Sequence, residues 1–433
     1  MKKLLIINLI FIFLTNMNTT ISRDLDQLSV EYIKIALEIG EKDKDFVDAY
    51  YGPEEYKPTG ASADIFLKKE YIKRITNLQK ELNDIAMTTS DMTVANRAYW
   101  MTEQLTAFIR RVKIFSGETT DFDKESLELF GVVAPKYDKE HFDDLLLELE
   151  NIVPGKGNLN QRINEVTKKF IIPEDKLDIV FKAAIQEARI RTKAQYELPV
   201  NEKFTLEYVK GTAWSGYNWY KGDYNSLIQI NTDLPIYIDR AIDLACHEGY
   251  PGHHIYNLLL EKKLYKDQNF QEITLYPLFS PQSLIAEGTA NYGIEVAFPG
   301  NEKTEFTKNI LLPLAGLDTN GIDLFFRINA IKGKLNFARN EVGRGLLNLT
   351  MSNDDAIQWL IKYNLMTREE ADKSIKFILK YRTYIINYNY GLELVRNYIE
   401  SQGGTEDNPQ KRWELFSYLL SNQIRIKDLI EIK

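Results

Sequence analysis

The chain has 433 residues, 44% hydrophobic and 27% charged, the balance of an ordinary globular protein with enough length for one large or two medium cores. Its formal net charge is -8 and it has no long basic run able to track a phosphate backbone. Nucleic acid is therefore excluded as the expected partner, and neutral or cationic ligands suit the charge better. The single cysteine, Cys246, excludes an internal disulfide.

In chain order, Met1-Lys2-Lys3 followed by the apolar run Leu4 to Leu14 has the charged start and short apolar core of a secretory signal peptide, expected to occupy residues 1–22 and to be removed. The run is short for a bilayer span, and no cysteine stands at its end to carry a lipid. The mature chain is thus expected in the periplasm or outside the cell, without stable membrane insertion. From Asp24 to about Leu198, apolar residues recur near helical spacing (Leu25, Leu28, Tyr32, Ile35 and Ile39; Leu78, Leu82 and Ile85; Leu145 to Leu149), with Pro53, Pro58, Pro135 and Pro154-Gly155 as punctuation.

Between Phe204 and Leu234 the pattern changes. Phe204 to Val209 alternates, and Tyr217 to Tyr220 leads through Lys221-Gly222-Asp223 into Ser226 to Asn231, which predicts a small antiparallel sheet. Asp233, a plausible N-cap with Pro235 just beyond it, predicts a return to helix that lasts to the C-terminus. The expected fold class is mainly α, a helical metallopeptidase-like fold with a small antiparallel β element just before the metal-binding helix described next. The expected organisation is an N-terminal helical region over 23–200 and a metal-binding catalytic region over 201–433, forming one composite domain.

The chain has four histidines, and three of them fall within His247-Glu-Gly-Tyr-Pro-Gly-His-His254. Histidine is the commonest metal ligand and is costly to bury unpaired, so this crowding beside a carboxylate points to a metal. His141, in the acidic stretch Glu140-His-Phe-Asp-Asp, reads instead as a solvated bystander. In the familiar His-Glu-x-x-His arrangement a spacing of four puts both imidazoles on one helix face. Here Pro251-Gly252 intervene, so the helix must kink or bulge. A bulge brings His253 round to the second ligand position; a nearly straight helix instead aligns His254, seven residues on, with His247. A catalytic zinc keeps three protein ligands and one open position. Glu287 is the candidate third ligand, on a helix announced by Ser280 and Pro281, and Asn291 one turn later could orient a ligand histidine.

His247-Glu-Gly-Tyr-Pro-Gly-His-His254 followed by Ala286-Glu287-Gly-x-Ala-x-Tyr292 resembles the bacterial family known as domain of unknown function 885, whose members carry His-Glu-x-x-Pro-Gly-His-His and then Glu-Gly-x-Ala-x-Tyr. That family is regarded as related to helical gluzincin peptidases, and the resemblance implies a mostly α fold with a deep cleft. It covers Trp214 to the C-terminus. Two stretches depart from the family pattern. Glu341-Val-Gly343-Arg-Gly345 lacks the histidine of Asp-x-Gly-x-His, and Tyr384-x-x-x-Tyr388-x-x-Gly391 replaces Gln-x-x-x-Tyr-x-x-Gly.

The expectation is an exported hydrolase with one zinc per chain, acting on a peptide or peptide-like substrate with Glu248 as general base. An ester or another amide would suit the same site. Tyr388, and after it Tyr292, are the candidate donors to a developing oxyanion. The strand Ser226 to Asn231 could pair with an extended peptide or be an interior strand.

Overall fold

The computed structural model describes residues 23–59, 66–212 and 214–431; the expected signal segment lies outside the described residues. The N-terminal region runs through α1 (Leu25–Lys42), β1 (Val47–Tyr50), α2 (Lys68–Thr88), α3 (Met92–Phe115), α4 (Phe122–Phe130), α5 (Lys139–Ile152), α6 (Leu159–Thr167) and α7 (Leu177–Lys193). Asp24, Asp91, Asp121 and Asp138 start α1, α3, α4 and α5 by accepting backbone N–H groups of the first turn.

Three strands follow, β2 (Lys203–Val209), β3 (Gly216–Tyr220) and β4 (Asn225–Asn231), in the spatial order β2-β4-β3. The expected antiparallel sheet is mixed. β3 and β4 form the predicted hairpin, with Asn218 opposite Ile228, but β2 runs parallel to β4, with Phe204 opposite Ser226. A parallel pair needs a crossover, and here β3 itself occupies it. β4 is therefore the interior strand, and β3 and β2 are the edges.

The chain continues through α8 (Asp239–Leu244), α9 (His253–Leu260), β5 (Leu275–Pro277), α10 (Pro281–Ala297), α11 (Glu302–Phe306), α12 (Leu312–Ala315), α13 (Ile322–Leu335), α14 (Ala338–Leu347), α15 (Asn353–Tyr363), α16 (Arg368–Tyr381), α17 (Ile386–Ser401), α18 (Pro409–Leu420) and α19 (Ile426–Ile430). Asp233 does not cap the helix after the sheet. Its carboxylate accepts the Gly211 N–H at 2.8 Å, and α8 begins six residues later. β5 pairs antiparallel with β1.

The expected mainly α architecture is what the structure has. A first core joins α1, α2 and α3 around Tyr32, Leu78, Trp100 and Phe108. The main core takes residues from both sides of position 200, with Phe122, Phe181 and Ala184 in the same cluster as Tyr250, Tyr292 and Phe416. At its centre α10 and α17 cross with backbones in contact. A Cβ on Gly288 would lie 2.4 Å from the Gly391 carbonyl oxygen, and one on Gly391 would lie 2.9 Å from that of Leu284, so only glycine fits at either place. No helix among the described residues is long and apolar enough to cross a membrane.

Candidate metal centre

The metal-motif helix breaks where its sequence demands. Beyond α8 a widened turn carries His247 and Glu248; the Tyr250 N–H reaches back to the Ala245 carbonyl at 2.9 Å, and the Gly252 N–H to that of Cys246 at 2.8 Å. The Tyr250–Pro251 bond is cis. A Cβ at Gly252 would lie 2.0 Å from the His247 carbonyl oxygen, so this return of the chain requires glycine. α9 then starts at His253, whose Nε2 comes 3.2 Å from that of His247, with the rings at 86°.

Of the two histidines left open by the sequence, His253 is the one brought to His247 and Glu287. His254 is not in the cluster: adjacent residues on a helix point about 100° apart, and both of its ring nitrogens are taken. Nδ1 lies 2.8 Å from Ser226 Oγ and Nε2 lies 3.0 Å from Glu202 Oε1.

Glu287 completes the cluster from α10, which starts as its sequence predicts, with Ser280 Oγ accepting the Ser283 N–H and Pro281 in the first turn. Its Oε2 is 3.4 Å from His247 Nε2, and its Oε1 is 3.8 Å from His253 Nε2. The three ligand atoms all lie within 4.8 Å of one another. Oε1 accepts the Tyr384 hydroxyl at 2.9 Å, whereas Oε2 is buried without a hydrogen-bond partner. Asn291 fixes His247. Its Nδ2 donates to the Tyr388 carbonyl at 3.0 Å, so its Oδ1 is the acceptor for Nδ1–H of His247, also at 3.0 Å, which leaves the lone pair of His247 Nε2 facing the cluster.

Two imidazole nitrogens and an orphaned carboxylate oxygen converging on one point repel unless they share a proton or a cation. The surrounding charges favour such a positive centre. Burial opposes protonation of His247, but Glu248 and Glu287 outweigh it and raise its pKa to about 9. Burial lowers that of His253 to about 4, with Glu287 opposing and His247 adding. Glu287 is buried too, yet the nearness of His247 and His253 and the bond from Tyr384 hold it below the usual carboxylate range. Two histidines and one carboxylate are the protein donor set of a hydrolytic zinc, and the residues fit that ion.

Glu248 sits beside the cluster. Burial, assisted by Glu287 and Asp48 and opposed by His247, pushes its pKa up to about 7. Its main-chain carbonyl accepts the Asn218 side-chain N–H of β3 at 2.6 Å. Asp48 of β1 also faces this region and accepts the Tyr217 hydroxyl. Burial raises the Asp48 pKa to about 6, the bond from Tyr217 opposing and Glu287 adding. Nothing in the local sequence around Asp48 signals this role, because a strand paired across the fold delivers it.

The tyrosines divide. The Tyr388 ring stands 5.6 Å from Tyr384, edge to face, and its hydroxyl lies in the field of Glu287 and Glu248. Tyr292 is a correction. Its fully buried hydroxyl accepts Arg412 Nε–H at 2.8 Å, and the carboxylates it feels are Glu295 and Glu400, so it is no oxyanion donor to this cluster. Tyr384 was legible in the sequence only as a mismatch in the family pattern. Its turn is set by Arg382, at φ 57° and ψ -127°, a backbone region that L residues seldom adopt. Buried Glu125 of α4 holds that residue, accepting Arg382 Nη2–H at 2.6 Å and the Thr383 hydroxyl at 3.2 Å. His141 stacks on Tyr137 at 4.3 Å and takes no part in the cluster.

No family model and no curated protein matches the chain. Among solved structures it is similar to a protein described as a lipoprotein from Colwellia psychrerythraea, at 12% identity and a TM-score of 0.48 over 84% of this chain and 70% of that one. It is also similar to metallocarboxypeptidase 1 of Trypanosoma cruzi, at 10% identity and a TM-score of 0.48 over 94% of each chain. The M32 carboxypeptidase of Deinococcus radiodurans R1 matches at 11% identity and a TM-score of 0.47 over 93% of this chain and 92% of that one. Likeness of this size bears on neither the site nor its chemistry.

Proposed function

We propose that this chain is an exported zinc-dependent hydrolase of the peptidase type that belongs with the domain of unknown function 885 family. One zinc would be held by His247, His253 and Glu287. The observation that carries the reading is the convergence of those ligand atoms within 4.8 Å, with one buried carboxylate oxygen left unpartnered and a further buried carboxylate, Glu248, alongside. A structural metal site closes with four ligands and has no need of a base. Export rests on Met1-Lys2-Lys3 and the apolar run after it.

Zinc, when bound, supplies a Lewis acid that acidifies water and polarises a carbonyl oxygen. The chain's own residues do the rest. Glu248 takes a proton from the attacking water on its carboxylate and later delivers it to the leaving amine nitrogen. Tyr388 donates its hydroxyl hydrogen toward the carbonyl oxygen as charge gathers there. Asn291 keeps the Nδ1 proton of His247 in place, and Tyr384 holds one oxygen of Glu287. The interior position of β4 removes it as a peptide-pairing strand; β3, bonded to the Glu248 carbonyl through Asn218, offers the free edge instead.

The test is hydrolysis of a mixed peptide pool by wild type and Glu248→Gln, with zinc measured in both. Zinc should stay, while hydrolysis falls by roughly 10² to 10⁴-fold, the usual worth of general acid-base catalysis. A fully active Glu248→Gln removes the mechanism. A wild type with full zinc and no activity on any peptide or ester would make the metal structural.

A further inference from the structure

The outer face of the small sheet carries a row of aromatic rings. Side chains alternate along β3, so Gly216, Asn218 and Tyr220 share one face and Tyr217 and Trp219 the other. The Tyr217 ring stands 4.6 Å from that of Trp219 and 5.5 Å from that of Trp214, in the loop just before the strand. Of the five tryptophans, Trp219 alone is exposed, at 41%. Grouped aromatic rings at a surface mark a place where something binds.

The polar ends of these rings are engaged. Tyr217 donates its hydroxyl to Asp48 of β1, and Trp219 Nε1 donates to Gln229 Oε1 of β4 at 2.9 Å. Gln229 Nε2 donates in turn to Glu207 of β2 at 3.1 Å, so a hydrogen-bonded row across three strands holds the indole in place. What stays free is the ring surface. Rings ordered in advance bind at low entropic cost, and a face whose polar groups answer one another suits apolar side chains and not a hydroxyl-rich ligand.

The opposite face of the same strand meets the candidate catalytic carboxylate. A Cβ on Gly216 would lie 3.1 Å from Glu248 Oε1, and Asn218 Nδ2 donates to the Glu248 carbonyl at 2.6 Å. Asn231 donates its N–H to the Ser215 carbonyl, and Lys221 to that of Asn225. The odd-numbered residues of β3 therefore turn their backbone groups to β4, and Gly216 and Asn218 turn theirs to the free edge. A peptide laid antiparallel along that edge exchanges hydrogen bonds with Gly216 and Asn218. Its residues opposite Tyr217 and Trp219 then fall in the non-hydrogen-bonded pairs, where side chains approach closest. Running opposite to β3, the peptide reaches Gly216 last, so those two residues precede the bond brought to Glu248.

We propose that Trp214, Tyr217 and Trp219 select the substrate: an extended peptide with large apolar or aromatic side chains at two positions, two residues apart, on the N-terminal side of the scissile bond. This rests on the peptidase reading above and says which peptides are taken.

The experiment gives a mixed peptide pool to the zinc-loaded full chain and identifies the residues around each cleaved bond by mass spectrometry. Large apolar residues should be enriched at two positions, two apart, before the bond. In a defined peptide carrying that pattern, replacing both by Ser should lower kcat/KM by about 10- to 100-fold, the worth of one buried apolar side chain. Trp219→Ala should lose about tenfold on the apolar peptide, chiefly through KM, and much less on its Ser counterpart; Trp219→Phe should recover part of the loss. No preference at those positions, a preference that survives Trp219→Ala, or equal losses on the two peptides overturns the proposal and leaves the peptidase reading standing.

A second arm needs no cleavage. Binding of acetyl-Ala-Phe-Ala-Phe-Ala-Ala to zinc-loaded Glu248→Gln is measured by calorimetry with and without Trp219→Ala, and circular dichroism and zinc content report folding. The added substitution should weaken binding by about tenfold. If the wild type cleaves no peptide, the peptidase reading falls, and this arm alone decides the aromatic row. Binding that is absent, or indifferent to Trp219→Ala, sinks it, as does tighter binding of an N-acetylglucosamine tetramer than of the peptide, which assigns the face to sugars.

Discussion

His253 and His254 are neighbours in sequence, and the polar clusters they enter are opposites. On the His254 side every acceptor is used: Glu202 Oε1 takes His254 and Tyr250, its Oε2 takes Arg189, and Ser226 meets the other ring nitrogen. Burial opposes ionisation of Glu202, yet His254, Arg189 and Tyr250 outweigh it and bring its pKa down to about 2. On the His253 side two ring nitrogens face each other and a carboxylate oxygen has no partner. Both clusters contain histidine and glutamate, so composition does not separate them, and burial does so only in degree, His254 and Glu202 being enclosed and His247 and His253 partly exposed. Hydrogen-bond satisfaction does: a closed network rigidifies the fold, and an open one awaits a ligand.

The contrast can be broken by substitution on either side. The largest effect is expected on the open side, where His253→Ala should take the zinc surviving gel filtration from about one per chain to none, since two remaining ligands seldom hold a catalytic zinc. Full occupancy in that variant would refute the ligand set. Next comes Asn291→Ala, which frees the His247 ring and should weaken zinc by about 10- to 100-fold in a competition titration; unchanged affinity would mean that the ring is held by packing alone. Tyr384→Phe removes one bond to Glu287 and should cost about tenfold or less by the same titration, and a total loss of zinc would move Tyr384 from support to ligand. Smallest in metal affinity is His254→Ala, which should leave zinc binding unaltered. It should cost about 2–3 kcal/mol of stability through the broken buried bond to Glu202, read as a thermal midpoint lowered by a few degrees. Metal loss without destabilisation would reverse the assignment of the two histidines.

What the sequence made legible follows the range of the interactions concerned. The helical spacing of Leu25 to Ile39, the Ser280-Pro281 start and the break forced by Pro251-Gly252 are local, and the structure shows each of them. Asn291 one turn beyond Glu287 is likewise a local relation, and it falls on His247 as that spacing suggests. The failures are long-range. The parallel pairing of β2 with β4 depends on where β3 lies, which alternation cannot reveal. Tyr292 stands on the same helix as Glu287, but its distant partner Arg412 decided its direction. His254 was as plausible a ligand as His253 until Glu202, 52 residues away, claimed its Nε2.

The hold of Glu125 on Arg382 has a consequence for the order in which the protein comes into being. The two residues are 257 positions apart, and the turn they secure presents Tyr384 to Glu287. Contacts of such separation close late, because the entropy of the long intervening loop must be overcome before the contact gives anything back. A chain emerging in order from its N-terminus therefore has its first core available early, while the Tyr384 support of Glu287 is added to the His247–His253–Glu287 cluster only when the last third of the molecule has docked. Under the export and hydrolase reading proposed above, that order would leave the surroundings of the cluster unfinished until the chain had crossed the membrane.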